Sequence, residues 1–370
     1  MGLYGILIAA VLSAAPATAS RPADGPLMLA SRPSSAGMPI RRHNEGPGKP
    51  FSSWSPLMKA AAQGQINAVK ALLAEGAEVD ARDEDRRTAL MYAARYGHDQ
   101  VVSALLDGGA ELEARDLSGF TPLIMAAQGG WTETLRLLLT RGAAVDARDR
   151  AEATALLWSA GRDYREAVAV LLRHGADLNA RDHDGWSPII LAARYGYQEL
   201  VRQLIESGAD ANQEDAWNRT PLWYAIQYDH PQMAEMLLEY VRQLGGADKD
   251  GQTLVHRAAA KGDNKVLFGL LSKGGDPNQE SAHGNTPMML AAGHGHAETV
   301  RILLDRGVDI NHRSEYGETA LHLAAQYGHT AVAQVLLNYG ADRSIVNDRG
   351  ETASQLAASR GHRAIVNLLQ

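Results

Sequence analysis

The sequence is organised by a spacing of 33 residues that recurs without interruption. A threonine or serine, called the anchor below, stands at ten such positions: Ser55, Thr88, Thr121, Thr154, Ser187, Thr220, Thr253, Thr286, Thr319 and Thr352. A leucine follows every anchor by 17 residues, and a glycine follows eight of the ten by nine residues, with Asp163 and Asp229 as the exceptions. A unit of this length cannot bury an apolar face alone, so the pattern predicts units that stack.

Each unit contains two segments with helical periodicity, as the third unit shows. Thr121 can cap a helix whose first turn holds Pro122, and Gly130 ends that helix. A second helix directs Leu138 inward and ends at Gly142, since glycine readily adopts the left-handed conformation at a helix end. A polar, turn-rich finger leads to the next anchor. The sequence therefore predicts an all-α repeat solenoid of ten stacked 33-residue helix–turn–helix units with finger loops.

Two of these units carry the motifs of a known family. Thr286-Pro287 with Gly295-His296, and Thr319-Ala320-Leu321-His322 with Gly328-His329, resemble ankyrin repeats. The resemblance extends over residues 51–370. It implies an ankyrin-repeat domain that binds a protein partner through a concave face made of finger tips and first helices, and it implies no catalytic activity.

Some units depart from the family pattern. The histidine that forms hydrogen bonds within and between ankyrin repeats is present only at His256 and His322, and apolar residues take most of its other places. In the sixth unit Val241 replaces the glycine that would end the second helix. The helical pattern continues over residues 239–244, so a longer second helix and a shorter finger are predicted there.

The first fifty residues differ in composition from the repeats. The apolar run at residues 3–15, followed by Ala17-Thr18-Ala19, predicts a secretory signal peptide over residues 1–19, cleaved before Ser20. The run is too short to span a bilayer as a helix, so no stable membrane anchor is expected. Residues 20–50, rich in Pro, Gly, Ser and Arg, predict a disordered basic linker, or alternatively an arm that touches anionic lipid or an acidic partner. These segments predict a periplasmic or secreted protein.

Composition and motifs narrow the function classes. The chain has no cysteine, which excludes disulfides, thiolate metal sites and cysteine nucleophiles. Its 36 basic and 43 acidic residues give a net charge of −7 with neutral histidine, which argues against non-specific nucleic-acid binding. Phosphate-binding loops and nucleophile or zinc motifs are absent, so no catalytic, cofactor or metal site is predicted. A weak alternative is a metal site at His283, His294 and His296.

Four fingers carry an Arg-Asp pair: Arg82-Asp83, Arg115-Asp116, Arg148-Asp149 and Arg181-Asp182. Stacking brings the pairs side by side, so mutual neutralisation along an exposed edge is expected. The alternative is a row of arginines that binds an acidic partner segment.

Aromatic residues concentrate at the finger-tip and first-helix positions expected to face a partner. Exposed aromatic side chains reduce solubility, and they are enriched at binding hot spots. The predicted partner-binding residues are Trp186, Trp217, Arg194, Tyr195, Phe120, Tyr228, Tyr316 and Tyr327.

The predicted function is a non-enzymatic scaffold or adaptor that is exported and binds a protein partner. A monomer is expected, with no nucleic-acid partner. One alternative is a dedicated inhibitor or protector of one periplasmic or secreted enzyme, as an immunity protein is. An enzyme is the remaining alternative, and the repeats leave no room for a second folded domain.

Overall fold

The computed structural model describes residues 54–242 and 244–370, and these contain twenty α-helices. The helices are α1 (Pro56–Ala62), α2 (Ile66–Ala74), α3 (Ala89–Tyr96), α4 (Asp99–Asp107), α5 (Pro122–Gly129), α6 (Thr132–Thr140), α7 (Ala155–Ala160), α8 (Arg165–Arg173), α9 (Pro188–Tyr195), α10 (Gln198–Glu206), α11 (Pro221–Gln227), α12 (Pro231–Tyr240), α13 (Leu254–Lys261), α14 (Asn264–Ser272), α15 (Pro287–Gly293), α16 (Ala297–Leu304), α17 (Ala320–Tyr327), α18 (Thr330–Asn338), α19 (Ala353–Ser359) and α20 (Arg363–Leu369). Within these residues, extended pairing is limited to an isolated bridge between Val346 and Thr352.

Every anchor is the N-cap of an odd-numbered helix, which confirms the predicted starts of the first helices. Thr121 is representative. Its Oγ1 accepts a hydrogen bond from the backbone N–H of Ile124 at 3.3 Å. The bond occupies one of the amide groups that a helix start leaves unpaired, and Pro122 has no amide hydrogen to satisfy.

Each odd-numbered helix packs on the even-numbered helix that follows it and on the next odd-numbered helix. The leucines 17 residues after the anchors form the centre of this packing. Nine of them are buried, from Leu105 in α4 to Leu369 in α20, whereas Leu72 in α2 is half-buried. The apolar stripes are therefore covered by neighbouring repeats, and the predicted all-α repeat solenoid is confirmed.

At the position nine residues after most anchors, a side chain of the next repeat leaves room only for glycine. Gly295 has φ +83, and a β-carbon built there would lie 2.8 Å from Nδ1 of His329. The ring of His329 covers this glycine, and its Nε2–H donates to the carbonyl oxygen of Gly293 at 2.9 Å. We call this hydrogen bond, from the residue ten positions after an anchor to the preceding repeat, the junction bond. Equivalent junction bonds join His98 to Ala62, Trp131 to Arg95, His230 to Arg194, His296 to Ala260 and His362 to Gln326.

The second helix of the sixth unit does not continue past Tyr240, contrary to the helical pattern predicted over residues 239–244. Helix α12 ends at Tyr240 and has 10 residues, one more than α10. Val241 leaves the helix in an extended conformation with its side chain buried. Its carbonyl oxygen accepts a hydrogen bond from Nζ of Lys273 at 3.1 Å, so the following repeat stabilises the chain exit. The finger keeps its turn, in which the N–H of Asp248 donates to the carbonyl of Gln252 at 2.9 Å.

The predicted signal peptide, the predicted linker and residues 51–53 lie outside the described residues. None of the helices in the described part of the chain is both long enough and apolar enough to cross a membrane.

Candidate protein-interaction surface

The fingers are built around buried aspartates. Oδ1 of Asp182 accepts hydrogen bonds from the backbone N–H groups of Asp184 at 3.0 Å and Trp186 at 2.9 Å. The same pair of bonds recurs at Asp116, Asp149, Asp215, Asp248 and Asn347. These side chains therefore shape the finger turns, and they do not line an exposed edge.

The finger arginines bind backbone, so the expected Arg-Asp neutralisation is wrong. Nη1 of Arg115 donates to the carbonyl of Arg148 at 2.5 Å, and Arg148 donates in the same way to Arg181 at 2.9 Å. Arg82 donates to the carbonyl of Arg115 at 3.1 Å. The guanidinium groups of Arg82, Arg115 and Arg148 thus join the first four fingers, each to the next.

Several finger aspartates also bind the first helix of their own repeat through Oδ2. Tyr92, Trp158, Tyr224 and Arg257 donate to Asp83, Asp149, Asp215 and Asp248 at 2.5, 2.8, 2.6 and 3.0 Å. In α9 the equivalent residue is Leu191, which has no donor. Burial, with smaller contributions from the neighbouring carboxylates Asp184 and Asp149, raises the pKa of Asp182 to about 6.

The structure contradicts the expectation that Trp186 is exposed. Its side chain is 2% exposed, and its ring packs edge-on against Tyr224 with the centroids 6.0 Å apart. The guanidinium of Arg194 covers the indole at 4.4 Å from the ring centre. Phe120 is half-buried against Trp158, with the centroids 5.3 Å apart. The residue before the anchor points between neighbouring first helices, so these two rings are packing residues.

The other predicted residues lie in two places. Arg194 extends from Trp186 towards Tyr228 and Tyr195, whose ring centres are 5.3 and 5.8 Å away, and all three side chains are half-buried. Trp217 is also half-buried in this region. Tyr316 and Tyr327 lie apart, near the start and at the end of α17, and are 38% and 36% exposed. The structure therefore brings together the central residues and separates the α17 pair from them.

Sequence reasoning missed the cations that complete the central cluster. Arg162 lies over Trp158 at 4.7 Å, and Arg219 lies over Trp223 at 4.5 Å. Arg219 and Lys249 flank Trp217 at 5.5 and 5.6 Å, and Arg257 lies over Trp223 at 4.9 Å. The spacing of Trp158 and Arg162, four residues apart at a helix end, could have indicated one pair. We call the set the cation–aromatic row: Trp158, Arg162, Trp186, Arg194, Tyr195, Trp217, Arg219, Trp223, Tyr228, Lys249 and Arg257.

The histidines considered for a metal site have other partners. Nδ1 of His294 lies 2.9 Å from the carbonyl of Leu290, and His296 forms a junction bond. His283 lies 2.6 Å from the carboxylate of Glu315. Over residues 54–242 and 244–370, no group of three or more histidine or acidic side chains is arranged to hold a metal ion.

His256 and His322 occupy the family position and perform the expected role. Nδ1 of His256 accepts from the backbone N–H of Thr253 at 3.2 Å, and Nε2–H donates to the carbonyl of Asn285 in the next repeat at 3.0 Å. His322 makes the same two bonds, to Thr319 and Glu351. Burial lowers the pKa of His256 to about 4 and also lowers the pKa of His322, so both rings stay neutral near pH 7.

The fold and its fingers define a repeat scaffold, and comparison with known proteins identifies the family. A model of three ankyrin repeats matches residues 27–116, 109–182, 180–253, 255–347 and 312–370. The chain therefore belongs to the ankyrin-repeat family, whose members are generally protein–protein interaction modules and typically not enzymes. No curated protein matched the chain. The overlapping matches do not number the repeats, so the count of ten and the domain start at residue 51 remain predictions.

Proposed function

We propose that the protein is an exported, non-enzymatic scaffold that binds a protein partner through its finger tips and the C-terminal ends of its odd-numbered helices. The cation–aromatic row carries this proposal. Its members lie on four consecutive repeats, with half-buried Arg162, Arg194 and Arg219 beside aromatic rings, and this composition is typical of interface centres. Metal and membrane roles have no comparable support among the described residues.

Capture in the native compartment tests the binding role. The full-length chain with a C-terminal affinity tag is crosslinked in its host, purified and analysed by mass spectrometry. We expect specific proteins to be retained, and retention to fall in the variant Trp217→Ala/Tyr195→Ala/Tyr228→Ala. The matched control is Arg136→Ala, because Arg136 is exposed on α6 and its guanidinium group pairs with Glu133 of the same helix. Absence of any protein above an untagged control would contradict the binding role.

The same experiment separates a scaffold from a dedicated inhibitor. If the retained protein is an enzyme, its activity is measured with and without the purified chain. Loss of activity at stoichiometric binding identifies an inhibitor, whereas unchanged activity identifies a scaffold.

Export is tested on the native protein. The apolar run and Ala17-Thr18-Ala19 support cleavage before Ser20. N-terminal sequencing should therefore begin at Ser20, in a periplasmic or secreted fraction. A native protein that retains residues 1–19 in the cytoplasm would contradict export and leave the binding role intact.

A further inference from the structure

Two arginines of the cation–aromatic row combine fixed positions with an uncompensated charge. Arg162 lies just beyond α7 and Arg194 in the last turn of α9, and these two helices pack on each other. Tyr195 lies close enough to both guanidinium groups for each to lower the pKa of its hydroxyl, although burial raises that pKa more. The two cations therefore border one surface that spans adjacent repeats.

Neither arginine has an acidic partner among the described residues. The contacts of Arg194 are its three aromatic rings, and Arg162 adds one weak hydrogen bond to the carbonyl of Trp158 at 3.4 Å. Arg257 is the useful contrast. It also stacks on an indole, but Nη2 lies 3.0 Å from Oδ2 of Asp248, so its charge is neutralised within the fold.

Stacking determines what these arginines can bind. An aromatic ring covers one face of each guanidinium group, and the N–H donors remain in the plane of the group. A carboxylate matches two of these donors at once, and a half-buried guanidinium group forms a stronger ion pair than a fully exposed one. The rings also restrict the side-chain conformations, so less entropy is lost when a partner binds.

We propose that Arg162 and Arg194 bind two carboxylates of an acidic segment of the protein partner. This inference rests on the proposed function and adds the chemistry of the partner. Neighbouring packed helices lie about 8–10 Å apart, so the two acidic residues are about two or three positions apart in an extended segment. The finger beside the site carries Asp182 and Asp184. With the net negative charge of the chain, it disfavours a nucleic acid, whose charge density is high, more strongly than a segment with two carboxylates.

A peptide selection tests the proposal. The probe is a phage-displayed library of random peptides of about twelve residues, selected on the full-length chain. We expect recovered peptides to carry at least two Asp or Glu residues, with affinity that falls as NaCl rises. Replacing those residues by Asn or Gln in a synthetic peptide should weaken binding by at least about tenfold, measured by fluorescence anisotropy. This comparison leaves the protein unchanged, so it does not depend on the folding of any variant.

Protein variants provide the second readout. Arg162→Ala/Arg194→Ala should lose at least about tenfold in affinity, Arg194→Lys should lose less, and Arg136→Ala should match the wild type. The proposal is overturned if the selection yields no peptide, if acidic residues are not enriched, or if the double variant binds like the wild type. If the captured cellular partner is retained equally by the double variant, only this inference fails. If no partner is captured at all, the proposed function fails.

Discussion

The outer and central repeats of this protein are joined by different interactions. Near the N-terminal end of the described chain, His98 and Trp131 form junction bonds, and towards the C-terminal end His296, His329 and His362 do the same. In the fourth and fifth repeats, Tyr164 and Tyr197 occupy the equivalent positions, and neither hydroxyl forms a hydrogen bond to the preceding repeat. In the sixth repeat, His230 again forms a junction bond. The ring of Tyr164 still covers Gly130, but the hydrogen bond is missing.

The two regions differ in what their polar side chains contact. The outer repeats direct them at neighbouring backbone, which stabilises stacking. The central repeats add contacts between aromatic rings and guanidinium groups such as Trp186 and Arg194. Stacking on a ring does not neutralise a charge, so the central arginines remain able to pair with a partner. The region without junction bonds around α7 to α10 thus overlaps the N-terminal part of the cation–aromatic row, and His230 forms a junction bond to Arg194 within the row.

The largest loss of stability should come from removing the buried indole of Trp186. Trp186→Ala removes a buried ring between two first helices and should lower the free energy of unfolding by about 3–5 kcal/mol. Trp217→Ala, at a half-buried finger tip, should cost about 1 kcal/mol. Guanidinium denaturation of both variants measures the difference. Equal losses would show that the two indoles have equivalent environments, contrary to the structure.

The 33-residue spacing was sufficient to predict the repeats, because each anchor determines a helix start and nine of the ten leucines mark a buried position. The orientation of Trp186 was not predictable from its place in the repeat. It depends on Tyr224 of the next repeat and on Arg194, which covers the ring.

The end of α12 was missed for a related reason. The apolar pattern continues past Tyr240, but Val241 is buried and Lys273 of the next repeat binds its carbonyl. Local periodicity does not include such contacts between repeats.

The second largest loss of stability should come from changing the junction at Gly295. Gly295→Ala forces a left-handed backbone on alanine and places its β-carbon against His329, so a loss of about 2–4 kcal/mol is expected. Gly307→Ala is the matched control, since its φ of +76 is similar but no atom lies within 4 Å of the added carbon. Its cost should be about 1 kcal/mol. Thermal melts compare the two variants. A similar loss of stability at both positions would contradict a steric role for the ring of His329.

Acid should lower the free energy of unfolding by about 2 kcal/mol through the buried histidines of the C-terminal repeats. The N-terminal repeats have apolar residues in place of His256 and His322 and should not contribute to this loss. The folded state holds the pKa of His256 at about 4, below its usual 6.5, so between these values the unfolded chain binds more protons. The stabilisation that depends on neutral His256 is therefore fully present above about pH 6.5, and it is lost as the pH falls towards 4.

His256→Gln tests this assignment. Gln355 shows that an amide can cap the anchor at this position, with Oε1 accepting from the N–H of Thr352 at 2.8 Å. We expect the variant to lose part of the decline in denaturation midpoint between pH 6.5 and 4. Asp182 acts with the opposite sign, because its raised pKa makes the folded state bind more protons between about pH 4 and 6. Asp182→Asn should therefore steepen the decline, and a slope unchanged in both variants would contradict these pKa directions.

The smallest loss of stability should come from removing a single junction bond. His329→Phe keeps a ring over Gly295 but removes the donor to the carbonyl of Gly293, so a loss of about 1 kcal/mol is expected. Tyr197→Phe removes a hydroxyl that forms no hydrogen bond within the described chain, and stability should stay within about 0.3 kcal/mol. Denaturant midpoints measure both losses, and amide hydrogen exchange in α15 and α17 follows the junction of His329. If Tyr197→Phe costs as much as His329→Phe, the fifth repeat has a polar junction after all, and its contrast with the repeats that form junction bonds does not hold.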